Sequence, residues 1–250
     1  MNLLEIRDLT VHLPGANPVR GVSLAVRSGE FVGLVGSSGS GKSSLAMAIL
    51  RLHPAARISG QILFCRQDLL KMTESELNRI RGKRIAMIFQ EPMLSLNPLH
   101  TIGAQIFEVL KYHTDSATRS RVLDLLQLVE LPDGDRIYDS YPHELSGGQR
   151  QRAMIAMALA AKPDLLIADE PTTALDVTVQ SQILRLLKSL QQKLGLSILF
   201  ITHDLDIIRA YARRVYVMKY GHIVATKLPP RPTVEPGRHR APSTQPPTLS

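Results

Sequence analysis

Hydrophobic and polar positions alternate along the opening of the chain. Leu4-Glu5-Ile6-Arg7, Leu9-Thr10-Val11-His12-Leu13 and Val22-Ser23-Leu24-Ala25-Val26 carry the period of two expected of half-buried strands. Pro14-Gly15-Ala16-Asn17-Pro18 is a turn cluster among them, so the opening predicts a small antiparallel β-layer. After Ser28-Gly29 the pattern changes. Phe31-Val32-Gly33-Leu34-Val35, Ile85-Ala86-Met87-Ile88-Phe89, Leu165-Leu166-Ile167-Ala168 and Ser197-Ile198-Leu199-Phe200-Ile201-Thr202 are short, nearly continuous runs of strand length. Strands buried on both faces of a parallel sheet read this way.

Helical periods separate these runs. Ser44-Leu45-Ala46-Met47-Ala48-Ile49-Leu50 follows the first of them. Thr73-Glu74-Ser75-Glu76 has capping-box spacing and predicts a helix through about Arg81. Val179, Ile183, Leu186, Leu187, Leu190 and Leu194 form one stripe, with Gly195 as a stop. From 101 to about 131 the period is helical throughout, on Ile102, Ile106, Val109, Leu110, Val122, Leu125, Leu126 and Val129, and Leu131-Pro132-Asp133-Gly134 closes the stretch. Strand–helix alternation interrupted by an all-helical insert predicts an α/β fold with an antiparallel β-layer and an all-helical sub-domain at about 91–160. Arg214-Val215-Tyr216-Val217-Met218 and His222-Ile223-Val224-Ala225 predict a closing hairpin. The domain is expected over 1–225. From 226 to 250 there are seven prolines and no apolar period, which predicts a disordered or polyproline-like tail.

Composition narrows the classes. The 250 residues suit one large domain, or one with a sub-domain. The absence of Trp and an aromatic content of 4% argue against base-stacking nucleic-acid modules. Cys65 is the single cysteine, so no internal disulfide can form; it ends an apolar run and is expected to be a partly buried packing residue in a reducing compartment. The first residues lack a secretory pattern, and the longest uncharged apolar run, 153–161, is far short of the roughly 20 residues of a membrane helix. The net charge of +8 is spread along the body and the tail without a dense basic run. It reads as general surface charge, with an anionic partner as the alternative.

The chemistry concentrates at the ends of the buried runs. Gly36-Ser37-Ser38-Gly39-Ser40-Gly41-Lys42-Ser43 lies between a strand run and a helix run, the context of a phosphate-binding loop. Its glycines let backbone N–H groups surround a polyphosphate; Lys42 would reach the β- and γ-phosphates and the Ser43 hydroxyl would bind Mg²⁺. A flexible Gly/Ser loop is the alternative for so short a pattern. Gln90 ends the second run, where open α/β sheets bind ligands. Leu145-Ser146-Gly147-Gly148-Gln149 precedes a strong helix at 150–161 and is either a second anion-binding helix start or simply an N-cap with glycines. Asp169 and Glu170 end the third run; buried acids there need a cation, so Asp169 is placed to hold Mg²⁺ and Glu170 to polarise a water. His203 ends the fourth, unlike His12, His53, His100, His113, His222 and His239, which have no positional argument.

With Lys42/Ser43, Gln90, Asp169/Glu170 and His203 at four strand ends and LSGGQ between the second and third, the chain resembles the nucleotide-binding subunits of ABC transporters over about 3–226. The resemblance implies a P-loop NTPase fold of ABC type, hydrolysing ATP with Mg²⁺. It makes Gly36 through Ser43 the Walker A loop and Gln90 the Q-loop residue that senses Mg²⁺ and links to membrane subunits. Ser146, Gly147, Gly148 and Gln149 become the signature, Asp169 a Mg²⁺ contact, Glu170 the catalytic base, Asp176 the D-loop and His203 the switch histidine. It also implies a homo- or heterodimer in which the signature of one subunit covers ATP held by the Walker A loop of the other. Further implied partners are two integral membrane permease subunits and, indirectly, a periplasmic binding protein, with no nucleic acid, at the cytoplasmic face of a bacterial inner membrane. Ile85-Ala86-Met87-Ile88-Phe89-Gln90-Glu91-Pro92-Met93-Leu94-Ser95-Leu96-Asn97-Pro98-Leu99-His100-Thr101, with Ala168-Asp169-Glu170-Pro171-Thr172-Thr173-Ala174-Leu175-Asp176-Val177, more narrowly resembles the ATPases of bacterial peptide and nickel importers, and most of all the first half of double-ATPase peptide importers. The expected function is thus an ATPase subunit that energises uptake of oligo- or dipeptides. The alternatives are a nickel importer ATPase, a non-transport ABC ATPase and a truncated remnant of a double ATPase. Three departures accompany the resemblance: Leu13 stands where the family often has an aromatic for adenine, leaving Phe31 or Tyr211 to supply one; Ser37 replaces a frequent glutamate; and the chain turns proline-rich where relatives continue into helices.

Overall fold

The computed structural model describes residues 1–90, 95–173 and 175–228. The alternating opening forms two long antiparallel strands, β1 (Asn2–Leu13) and β2 (Ala16–Arg27). Along β1 the buried positions are Leu4 and Ile6, then Leu9 and Val11, an odd step. Asp8 supplies it, with φ of 46° and a register break between Ile6 and Leu9; a bulge of this kind keeps both halves of the strand facing one core. The expected turn cluster is shorter than the sequence suggests, because β2 already runs through Pro18. A proline fits there because β2 is the edge of the layer, and the missing N–H breaks no ladder. β3 (Phe31–Val35) and α1 (Lys42–Ile49) follow, and β4 (Arg57–Phe64) and β5 (Gln67–Asp68) return to the layer, whose order is β2-β1-β4-β5.

Thr73 and Glu76 close the expected capping box on α2 (Glu74–Asn78), which stops short of Arg81. β6 (Ile85–Ile88) ends one residue earlier than its apolar run: Phe89 lies beyond the strand and is 41% exposed. The helical stretch starts at α3 (Ile102–His113), capped by Thr101, and continues through α4 (Arg119–Leu128). It does not close at 131–134. A further helix, α5 (Gly134–Asp139), carries fully buried Ile137 into the same core, and six residues are too few for a period to show in the sequence. α6 (Gly147–Leu159), β7 (Leu165–Asp169), α7 (Val177–Leu194) and β8 (Ser197–Thr202) follow. Gly195 ends α7 in the left-handed conformation (φ 66°), as its position predicts. α8 (Leu205–Arg209), capped by Asp204, was not signalled by any period; β9 (Arg214–Lys219) and β10 (His222–Lys227) form the closing hairpin. Thr226 and Lys227 therefore belong to a strand, and the rest of the proline-rich stretch from 229 lies outside the described residues, as does the start of the expected helical sub-domain at 91–94.

The second sheet has the order β10-β9-β3-β8-β7-β6, parallel except where β10 pairs with β9. All residues of β3, β7 and β8 are buried. Their side chains alternate between two cores. Phe31, Leu166, Ala168, Ile198 and Phe200 face the helices α3 to α7, whereas Val32, Leu34, Leu165, Ile167, Leu199 and Ile201 face α1 and the β-layer. Both faces being covered explains the unbroken apolar runs.

Candidate active site

The strand order brings four carboxyl ends side by side: the glycine-rich loop after β3, His203 after β8, Asp169 and Glu170 at the end of β7, and Gln90 beyond β6. Crevices at such ends are where parallel sheets hold ligands. Here the crevice is a cavity of about 780 Å³, walled by Ser37, Ser38, Gly39 and Gly41 of the loop, by Lys42 and the two serines after it, by Pro18, and by Gln90, Glu170 and His203. Gly36 and Ser40 lie beneath the loop rather than in its wall.

Gly41 begins α1 with φ of 104°, and a Cβ there would stand 2.0 Å from the Pro18 carbonyl oxygen, so only glycine fits. No side chain caps this helix, and its first N–H groups face the crevice with the positive end of the helix dipole behind them. Lys42 is 4% exposed; its Nζ donates to the carbonyls of Gly36 (2.9 Å) and Ser37 (3.0 Å) and sits 3.6 Å from Glu170 Oε1. Glu170, at φ 47°, is held by its N–H bond to Ile201 O, and its Oε2 accepts from Thr173 Oγ1 at 3.0 Å and lies 3.2 Å from His203 Nδ1. A carboxylate held by two side chains beside a buried ammonium could take a proton from a water admitted to the cavity.

Asp169 is 3% exposed. Burial pushes its carboxyl above the usual carboxylate range; the hydrogen bond from Ser43 pulls it back, the Glu170 charge adds to the rise and Lys42 opposes it. Its Oδ1 is buried without a hydrogen-bond partner, an arrangement that a cation or its water would satisfy. No group of three or more metal-ligating side chains occurs among the described residues, so Mg²⁺ would draw on the Ser43 hydroxyl and Asp169 and take its remaining oxygens from phosphate and water. These residues fit the ion.

The signature is elsewhere. Ser146 caps α6 in a full capping box: Ser146 Oγ accepts from the Gln149 N–H (3.3 Å), and Gln149 Oε1 accepts from the Ser146 N–H (3.0 Å). Gly147 and Gly148 pack this helix start against the segment leading into α7; a Cβ on Gly148 would meet Val179 at 2.9 Å. Asp176 caps α7 and, with Ser146, Gly147, Gly148 and Gln149, lines a separate cavity of about 350 Å³. The chain therefore does not bring its own signature onto its own glycine-rich loop.

Two expectations are corrected. Phe31 is 1% exposed and stacked on Phe200, and Tyr211 packs against the helical-side core, so neither borders the phosphate cavity; Leu13 packs into the β-layer core. The sequence reading also missed Pro18 and Thr173. Pro18 reaches the cavity by long-range pairing of β2, which has no local signal, whereas Thr173 was marked by its place three residues after the acidic pair.

Comparison with known proteins follows the same line. The family model described as ABC transporter matches residues 19–173. The chain is 49% identical over 245 residues to a probable peptide ABC transporter ATP-binding protein of Sinorhizobium fredii, spanning 92% of this chain and 73% of that one. It is 48% identical over 235 residues to the dipeptide transport ATP-binding protein of Escherichia coli (90% and 72%) and 56% identical over 234 residues to a peptidoglycan transport ATP-binding protein of Agrobacterium fabrum, of which it spans 43%. Among solved structures, a dimeric bacterial ABC transporter cassette superposes with a TM-score of 0.80 at 31% identity, covering 90% of this chain and 98% of the other, and so does a dimeric cassette in a post-hydrolysis state with ADP and Pi. The loop, the acidic strand end and the relatives agree, and the chain belongs to the ABC transporter family of ATP-hydrolysing subunits.

Proposed function

We propose that this protein hydrolyses ATP as one half of a paired cassette and passes the resulting motion to membrane-embedded permease subunits that import peptides. In this reading the loop from Gly36 to Ser43 binds the phosphates, and Lys42 leaves its loop carbonyls for the terminal phosphate. Glu170 accepts the proton of the attacking water while His203 and Thr173 hold its carboxylate in place. Mg²⁺, when bound at Ser43 and Asp169, neutralises phosphate charge. Ser146 to Gln149, remote from this cavity, serve the nucleotide of a second subunit, and Asp176 lies beside that contact. The pairing is supported by the dimeric state of the similar cassettes.

The observation that carries the coupling is the position of Gln90. It borders the phosphate cavity and also a second cavity of about 720 Å³ between β6 and the helical side, lined by Met47, Met87, Phe89, Met154 and Met157. A methionine-rich apolar cleft adapts to an inserted helix, and Gln90 stands at its junction with the nucleotide. No helix among the described residues is long and apolar enough to cross a membrane, in keeping with peripheral attachment from the cytoplasmic face. Peptide cargo is supported by the relatives, which are ATP-binding proteins of peptide, dipeptide and peptidoglycan transport.

The test is Glu170→Gln. Steady-state phosphate release is expected to fall by roughly a hundredfold or more with ATP binding retained. Undiminished turnover would remove Glu170 from the role of base, and peptide-insensitive hydrolysis by a complex reconstituted with its permeases and binding protein would remove the cargo assignment.

A further inference from the structure

A short turn joins Glu170 to α7 and lies between two cavities. Glu170 lines the phosphate cavity at its front, and Leu175 and Asp176 line the signature cavity at its back. Within the turn the Thr173 N–H donates to Glu170 O (3.1 Å) and the Leu175 N–H donates to Thr172 O (3.3 Å). Thr173 also reaches forward, donating its hydroxyl to Glu170 Oε2 at 3.0 Å. Where that hydroxyl points depends on the backbone that carries it.

One side chain clamps this backbone from outside. Gln180 stands in the first turn of α7, just past the Asp176 cap. Helical side chains lean toward the N-terminus of their helix, so Gln180 extends back over the segment that feeds α7. Its Nε2 donates to Thr172 O (3.3 Å) and to Leu175 O (3.0 Å), the carbonyls that bracket Thr173. Two carbonyls facing one amide fix its orientation, because only the NH2 end can donate to them. Among the described residues no other side chain donates to either carbonyl. The clamp has a firm base: the Gln180 N–H bonds to Asp176 O (2.9 Å), and Asp176 Oδ1 accepts the Val179 N–H (2.9 Å). Gln180 is half-buried and lines neither cavity, so any influence it has on the chemistry passes through the turn.

We propose that Gln180 is a positioning residue for hydrolysis: by clamping the turn it holds the Thr173 hydroxyl on Glu170 and so keeps that carboxylate aimed at the water. The proposal rests on Glu170 being the base, and its test separates the two. Steady-state phosphate release and ATP affinity are measured on the full chain assembled with its permeases. The variants are Gln180→Met, which keeps the length without a donor, and Gln180→Lys, which restores one, with Gln180→Met also combined with Glu170→Gln. Gln180→Met is expected to lower kcat about tenfold with KM and ATP affinity within about twofold, because a misplaced reacting group is felt in the chemical step. Gln180→Lys should recover most of that kcat. In the Glu170→Gln background Gln180→Met should cost less than about twofold, since a residue that acts through Glu170 has nothing further to misplace. A native kcat in Gln180→Met overturns the proposal, and so do equal losses of kcat and ATP affinity, which would mark a purely structural role. A Gln180→Lys protein as slow as Gln180→Met also overturns it, as do losses that multiply with Glu170→Gln. Undiminished turnover in Glu170→Gln alone removes the base, and this proposal with it.

Discussion

Two helices of this protein begin on glycine-rich segments, and they treat their first N–H groups in opposite ways. α1 starts at Gly41 with no side chain bonded across its end, so its donors stand open to the crevice. α6 starts at Ser146 with a reciprocal box that already occupies the N–H of Gln149 and of Ser146. Glycine serves close approach in both places, to the Pro18 carbonyl in one and to Val179 in the other. The difference separates a site completed within one chain from one that is not. Around α1 the same chain supplies Lys42, Glu170 and His203, with Asp169 bonded to Ser43; around α6 it supplies a helix end whose donors are already bonded. On the proposed reading the first holds nucleotide alone, and the second adds its contribution when a partner subunit arrives.

Breaking the α1 side has the largest expected effect. Lys42→Ala should lower ATP hydrolysis on the order of a hundredfold or more in a phosphate-release assay, because on the proposed reading it removes the charge that meets the terminal phosphate. Near-native turnover would mean that this loop is not the reacting site. Gly148→Ala probes α6 instead. Its methyl group meets Val179, and overpacking of this kind costs about 1–3 kcal/mol. Hydrolysis and ATP-induced dimerisation, followed by sedimentation, should drop about tenfold while single-chain ATP affinity is unchanged. A loss of affinity equal to the loss of turnover would erase the distinction between the two helix starts.

A smaller effect is expected from Ser146→Ala, which opens the box and should destabilise the nucleotide-free protein by about 1 kcal/mol in denaturant melts. The smallest expected effect concerns Asp169. A carboxyl raised by burial stabilises the fold when protonated, and that contribution is lost as pH rises through its folded value. Asp169→Asn should therefore melt higher than the native chain at neutral pH without Mg²⁺, with the gap closing in acid below the ordinary carboxylate range. A native chain that melts higher than Asp169→Asn at neutral pH would mean that the bond from Ser43 outweighs burial.

What the sequence made legible follows from how local each signal is. Asp169, Glu170 and His203 were readable because they terminate unbroken apolar runs, and Lys42 because it closes a glycine-rich motif that follows one; a parallel sheet gathers such ends on one side. Gly195 and the Thr73–Glu76 box were readable because capping depends on a few neighbouring residues. α5 and α8, of six and five residues, are too short to display a period. The Asp8 bulge and the entry of Pro18 into the phosphate cavity depend on pairing between strands, which no window of sequence contains. Phe31 was misjudged for the same reason: in a strand covered on both faces every side chain is interior, aromatic or not.

The single-residue alternation that divides the sheet between two cores has a consequence in time. Amides of β3, β7 and β8 are laddered on both sides and roofed by both apolar layers, so their exchange with solvent deuterium should await global unfolding. α3, α4 and α5 rest against one layer alone and can open locally while the strands that carry the phosphate loop stay shut. Motion of the helical half and integrity of the nucleotide grip thus run on separate clocks, which lets a cassette flex many times for each time it unfolds.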